Sequence, residues 1–273
     1  MPFAAKETEI NGNKVSYFDE GHSDIPVVFL HGFPFSKNMW EPQFEALKES
    51  YRVVAYDVRG HGSSDAGTAE FTISQFAHDF ILFLDALRIP QAVVCGLSMG
   101  GYIALHAIEK APERFAALVL ADTQCFADTD AAREKRKKAI DSIREKGMAP
   151  YAEESVKNLF APASHLDKPE AVDHIRKTIA RASDDNVTKT LMALAARKDT
   201  CGVLPTVTCP VLILVGSEDK VTPIEAARKM HDLLPGSHLQ TIEGAGHVSN
   251  LENPDAFNTA LEAFLHSLLY RVT

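Results

Sequence analysis

Short apolar runs of strand length alternate with segments of helical periodicity along most of this chain. Val27–Leu30, Val53–Tyr56 and the runs 92–95 and 118–121 are apolar without interruption, as strands buried on both faces should be. Two more strand-like runs, 211–215 and His238–Ile242, follow after a gap. Over 73–87 the periodicity changes: Ile73, Phe76, Ala77, Phe80, Ile81, Leu84 and Leu87 recur at three- and four-residue steps, which predicts an amphipathic helix. Such alternation predicts an α/β fold, a mostly parallel central sheet with helices on both faces. At the start, Asn11-Gly12 precedes the strand-like run 14–19 and predicts a tight antiparallel hairpin. Near the end, Thr222-Pro223-Ile224-Glu225 predicts a helix start with Thr as N-cap, Pro at the first position and Glu at the third. Pro235-Gly236 stops that helix after about Leu234.

The alternation fails between Gln124 and Asn186. Three or so charged amphipathic helices are expected there, broken at Gly147, Pro150, Pro162 and Pro169. Without a strand signal this stretch cannot extend the sheet. It reads as a helical cap, 124–186, inserted into a core formed by 1–123 and 187–273. Its basic run, Arg133-Glu134-Lys135-Arg136-Lys137-Lys138, reads as a solvated helix face.

Composition narrows the function classes. With 273 residues, 45% hydrophobic and 24% charged, the chain is long and apolar enough to bury a core without staples. A net charge of −9, from 37 acidic and 28 basic residues, argues against nucleic acid and anionic membranes as partners. The first 25 residues lack a signal-peptide core, and no run approaches the ~18 apolar residues of a membrane span. The four cysteines, Cys95, Cys125, Cys201 and Cys209, show no CxxC pair and no metal spacing. Reduced thiols, a cytoplasmic location and no metal or other cofactor are the expectations; the oligomeric state stays open.

Gly96-Leu97-Ser98-Met99-Gly100 lies between a strand-like run and a helical one. A G-x-S-x-G in that context presents its serine at a sharp strand-to-helix turn. A serine hydroxyl needs a base to take its proton and a third group to orient that base. Both are available beyond strand ends: Asp219 after 211–215, and His247 after His238–Ile242 in a Gly-rich turn. Asp122, after 118–121, is the alternative acid. A developing oxyanion needs fixed donors, for which the Met99 and Phe33 N–H groups are the candidates; Pro34 has none. His31 is expected to orient that loop, and the Gly-punctuated turn from Asp57 to Ser64, with Arg59 and His61, to fix loop geometry. Phe35, Trp40, Leu97, Phe126, Phe160, Val221 and Val248 are candidates for an apolar substrate pocket.

Together these motifs resemble the α/β-hydrolases of the carboxylesterase and 3-oxoadipate enol-lactonase type. The resemblance rests on His31-Gly32-Phe33-Pro34, Asp57-Val58-Arg59-Gly60-His61-Gly62-Ser63-Ser64, the Ser98 turn, Gly216-Ser217-Glu218-Asp219 and Gly246-His247, in that order over nearly the whole chain. It implies the α/β-hydrolase fold, a cap after the sixth strand, and a Ser98–His247–Asp219 triad acting on a small-molecule ester or lactone. Cofactor-free perhydrolases and C–C hydrolases share that triad, and some hydrolase-like receptors bind a ligand and turn it over slowly. Haloalkane dehalogenases and epoxide hydrolases use Asp where this chain has Ser98.

Overall fold

Asn11 and Gly12 both adopt left-handed backbone conformations, with φ of 50° and 75°. Tight hairpin turns require this, and Asn-Gly tolerates it. They join β1 (Lys6–Ile10) to β2 (Asn13–Glu20) in the expected antiparallel hairpin. The structure, a computed structural model, describes residues 3–269. Six further strands follow: β3 (Val27–Leu30), β4 (Val53–Tyr56), β5 (Ala92–Leu97), β6 (Phe115–Ala121), β7 (Val211–Gly216) and β8 (His238–Ile242). The eight form one sheet in the order β1-β2-β4-β3-β5-β6-β7-β8. β2 pairs antiparallel with β1 and β4, and all other neighbours are parallel.

Helices α1 (Glu41–Leu47), α2 (Ile73–Ala86) and α3 (Met99–Lys110) connect the first six strands. Between β6 and β7 come α4 (Asp130–Lys146), α5 (Met148–Leu159), α6 (Ser164–Asp167), α7 (Pro169–Ala180) and α8 (Asp184–Ala195). The chain continues with α9 (Ile224–Leu233), α10 (Ser249–Glu252) and α11 (Pro254–Leu269). Side chains alternate across each strand, so each run feeds two cores. Val28, Leu30, Val94, Leu118 and Leu120 pack with α2, α3 and α9. Val27, Phe29, Val93, Cys95, Ala117 and Val119 pack with α1 and α11. This two-sided burial is why the strands read as unbroken apolar runs. Phe29 lies 4.7 Å from the Trp40 ring and 6.0 Å from Phe44; full burial of one such side chain contributes about 1.5–3 kcal/mol.

Two expectations about the insertion need correction. It holds five helices, not about three. Gly147, Pro162 and Pro169 each precede a new one, Pro150 is accommodated in the first turn of α5, and α8 starts at the Ser183 cap. Its expected end at 186 falls inside α8, which runs on to Ala195. Val187, Leu191 and Leu194 bury one face of α8, and that stripe carries the helix past the boundary.

The expectation of free thiols also fails for two of the four cysteines. Cys125 and Cys201 form a disulfide with their Cα atoms 4.8 Å apart, across a sequence separation of 76. The insertion leaves and re-enters the core at neighbouring points, where Thr200 N–H also donates to Cys125 O at 2.8 Å. Spacing along the chain carries no sign of that proximity. The thiol argument for a reducing compartment therefore does not hold for this pair. Cys95 is buried and Cys209 half-buried, both free. Among the described residues no helix is long and apolar enough to cross a membrane.

Candidate active site

β5 ends one residue before Ser98, and α3 begins one residue after it. Ser98 takes φ 53° and ψ −114°, a strained conformation for a residue with a side chain, costing on the order of 1–3 kcal/mol. Its neighbours hold it there. Ser98 N–H donates to Ala121 O at 3.0 Å, and Ser98 O accepts from Thr123 Oγ1 at 2.8 Å and Gly101 N–H at 2.9 Å. The flanking glycines serve close approach: a Cβ on Gly100 would lie 2.1 Å from Leu30 O, and one on Gly96 2.4 Å from Gly100 O.

The structure brings Ser98, His247 and Asp219 together from three strand ends. His247 Nε2 lies 2.8 Å from Ser98 Oγ, and Nδ1 lies 2.8 Å from Asp219 Oδ2. A carboxylate at Nδ1 requires a proton there, which leaves the Nε2 lone pair facing the serine hydroxyl. Asp219 Oδ1 accepts from Val221 N–H at 2.7 Å and Thr222 N–H at 3.0 Å; Oδ2 accepts from Thr222 Oγ1 at 2.7 Å as well as from His247. Burial alone would raise the Asp219 pKa, but His247 and the Thr222 donors outweigh it and hold the group below the usual carboxylate range. For His247, burial disfavours the cation, yet the Asp219 charge and hydrogen bond prevail, and its pKa lies above 6.5.

Thr222 corrects one sequence expectation. It is not a helix cap: α9 starts at Ile224, the cap position is Pro223, and no side chain caps the helix. A bond to a carboxylate is stronger than a neutral cap bond, so the hydroxyl turns to Asp219.

Asp122, the alternative acid, is fully buried with φ 43°. Oδ1 accepts from Gly216 N–H at 2.8 Å, and Oδ2 from Ser249 N–H at 3.2 Å and Ser249 Oγ at 2.5 Å. Burial, then the neighbouring Asp219 charge, push its carboxyl up to about 8. It ties the ends of β6 and β7 to α10, and His247 Nδ1 is engaged by Asp219.

Phe33 and Met99 lie beside Ser98 on the same cavity. Met99 opens α3, whose first N–H groups have no partner inside the helix. His31, completely buried, braces the Phe33 loop: Nδ1 donates to Gly32 O at 2.8 Å, and Nε2 accepts from Val58 N–H at 2.9 Å. Burial, with the His61 charge, pulls its pKa down to about 4, so it stays neutral in this role. The 57–64 turn is internally cross-linked. Asp57 accepts from Lys37 Nζ at 2.7 Å and Ser63 N–H at 2.8 Å, and Arg59 forms a two-point pair with Asp79. Arg59 and His61 do not line the cavity.

That cavity, about 650 Å³, opens between Ser98, His247 and the inserted helices. Ala132, Lys135, Arg136 and Ala139 of α4 line it, as do Tyr151, Glu154, Ser155, Asn158 and Leu159 of α5, and Leu191 and Leu194 of α8. Outside these helices, Pro34, Tyr102, Gln124, Asp128, Lys220 and Val221 also line it. Of the seven expected pocket residues, only Val221 lines it. Phe35, Trp40, Leu97, Phe160 and Val248 are buried in the core behind the loops, and Phe126 is half-buried beneath the Lys229 ammonium. Nearness in sequence to a catalytic loop does not set which way a side chain points. The true lining does carry a signal: 132, 135, 136 and 139, and likewise 151, 154, 155 and 158, share one helix face each. The basic run is therefore not only a solvated face. Arg136 Nε donates to Asp128 Oδ2 at 2.6 Å, Arg197 pairs with the same carboxylate, and Lys135 and Lys220 add positive charge to the cavity of a chain whose total is −9.

Comparison with known proteins agrees with this architecture. Residues 25–254 match the family model described as alpha/beta hydrolase fold. The chain is 33% identical to 3-oxoadipate enol-lactonase 2 of Acinetobacter baylyi, over 92% of each sequence. Among solved structures, a thermophilic esterase from Thermogutta terrifontis superposes with a TM-score of 0.91 at 31% identity, covering 97% of this chain and 99% of that one. The enol-lactonase from Burkholderia xenovorans LB400 gives a TM-score of 0.89 at 26% identity, covering 96% and 100%. With the match running through most of its length, this chain belongs to the alpha/beta hydrolase fold family, alongside enol-lactonases and esterases.

Proposed function

We propose that this protein hydrolyses carboxylic esters or lactones through an acyl-enzyme on Ser98. The observation that carries the reading is the unbroken hydrogen-bonded line from Ser98 Oγ through His247 to Asp219, opening on a cavity of about 650 Å³. A volume of that size suits a small organic substrate, and the enol-lactonase and esterase relatives support the same class.

His247 Nε2 takes the Ser98 proton as Oγ attacks the carbonyl carbon. The oxyanion that forms accepts hydrogen bonds from Phe33 and Met99 N–H, donors whose loss typically costs about 10²–10³ in rate. As the intermediate collapses, His247 returns the proton to the leaving alcohol or enol oxygen. A water then repeats the sequence on the acyl-enzyme, and its proton passes through His247 to Ser98. Asp219 stays ionised throughout, fixing the imidazole tautomer and stabilising its cation. The helices between β6 and β7 act as a cap that shapes the substrate cavity. The route uses only these side chains, two peptide N–H groups and water.

A panel of p-nitrophenyl esters and small lactones, assayed with wild type and Ser98→Ala, tests the reading. Ser98→Ala should lose turnover by about 10⁴-fold or more while keeping its circular dichroism spectrum. Undiminished turnover in that variant would overturn the assignment.

A further inference from the structure

Glu252 is a buried carboxylate, 4% exposed, five residues beyond His247. Among the described residues, its donors are peptide N–H groups and one hydroxyl, none of them a cation. Oε1 accepts from Gly246 N–H at 2.8 Å; Oε2 accepts from Ala161 N–H at 2.8 Å and from Ser164 Oγ at 2.6 Å. One carboxyl group thus joins the turn that carries His247 to the segment linking α5 and α6. A second bond runs beside it, from His247 N–H to Leu159 O at 2.7 Å. The two backbones are pressed together: a Cβ on Gly246 would lie 2.7 Å from Ala161 N and 2.8 Å from Leu159 O.

Burying a charge without a counter-ion is costly, and packing alone would be served by an apolar side chain. What a carboxylate does here, and an apolar side chain cannot, is accept from both segments at once. We infer that Glu252 is a positioning residue that locks the His247 turn onto the cap, making the 159–164 segment a fixed wall of the active site. The imidazole's placement against Ser98 is then set partly by the cap, and cap movement is confined to the helices outside that segment. This inference rests on the reading of His247 as the base.

Glu252→Gln replaces one accepting oxygen with a donor that faces N–H or O–H groups. Misplacing a catalytic group by an ångström costs on the order of 100-fold, so kcat should fall about 10- to 100-fold while KM stays within about threefold. Among the described residues, the charges of Asp219, Asp122 and Glu252 each favour the His247 cation. Removing the Glu252 charge should therefore also move the acid limb of the kcat/KM profile to lower pH. Hydrogen exchange supplies a readout independent of activity. Amides of 246–247 and of 159–164 should lose protection together in Glu252→Gln. Ser164→Ala, which removes only the cap hydroxyl, should show the same paired loosening more weakly with the acid limb unmoved, and it covers the case in which Glu252→Gln fails to fold. Wild-type kcat in folded Glu252→Gln would overturn the inference, as would loosening of one segment without the other. If paired loosening is seen but ester turnover survives Ser98→Ala, the assignment of His247 as base falls and the mechanical coupling stands.

Discussion

Thr222 and His247 donate to the same oxygen of Asp219, with Thr222 Oγ1 at 2.7 Å and His247 Nδ1 at 2.8 Å from Oδ2. The threonine hydroxyl thereby withdraws part of the negative charge that holds the Nδ1 proton. Thr222→Val keeps the shape and removes the donor. The acid limb of the kcat/KM profile should then move up by roughly half a pH unit, because the Asp219 carboxylate loses one donor and acts more strongly on the Nδ1 proton. Thr222→Ser should restore it. An unmoved limb in the valine variant would count against this role.

The pH dependence of the wild type follows from the direction of the His247 shift. Its pKa is raised above 6.5, because the Asp219 interactions exceed the opposing effect of burial. Below that raised value the imidazole is protonated and cannot accept from Ser98. kcat/KM should therefore fall as pH drops, with a midpoint above 6.5. A midpoint below 6 would show that Asp219 does not hold the proton as the distances indicate.

The two buried acids should separate cleanly on substitution. Asp219→Asn removes the charge facing Nδ1 and should cost on the order of 10⁴ in kcat. Asp122→Asn keeps an acceptor for Gly216 N–H but turns an amide toward Ser249. Its main effect should be on stability, about 1–3 kcal/mol for mismatched buried groups, with a much smaller loss of rate. Side-by-side kinetics and denaturant melts test this, and the reverse ranking of rates would exchange the two roles.

Ala139 faces the cavity from α4. Ala139→Phe should shorten the space for the substrate, lowering kcat/KM for a p-nitrophenyl octanoate by about tenfold or more relative to the acetate. Equal effects on both esters would place the acyl chain elsewhere.

The Cys125–Cys201 bond closes the base of the insertion across a sequence separation of 76. A loop of that size corresponds to about 4 kcal/mol of stabilisation in the chain-entropy account. The double variant Cys125→Ser with Cys201→Ser should melt several degrees lower and lose the wild type's sensitivity to reductant. Equal melting temperatures in wild type and double variant would show that the bond contributes no stability.

Much of the architecture is legible in the residues themselves. Unbroken apolar runs of strand length and three- to four-residue steps locate the strands and α2, and Asn11-Gly12 locates the hairpin, because these signals arise within a few residues of chain. Ser98, Asp219 and His247 are legible for a related reason: each follows a buried run at a turn, and parallel strands deliver such turns to one edge of the sheet.

What the tertiary structure alone decides is everything that depends on direction or on distant contact. Phe35, Trp40, Leu97, Phe160 and Val248 adjoin the catalytic loops in sequence yet point into the core, because the sheet face they meet lies behind the loop. Ala132, Lys135, Arg136 and Ala139 share a helix face, but only the docking of α4 over Ser98 turns that face into a cavity wall. Thr222 reads locally as a helix cap and is drawn instead to a carboxylate three residues away. Cys125 meets Cys201, and Glu252 meets Ala161 and Ser164, across 76 to 91 residues of chain. Local sequence sets the period of an element and the chemistry of its ends. The partner each side chain finds is set by which elements pack together, and that is a property of the assembled core.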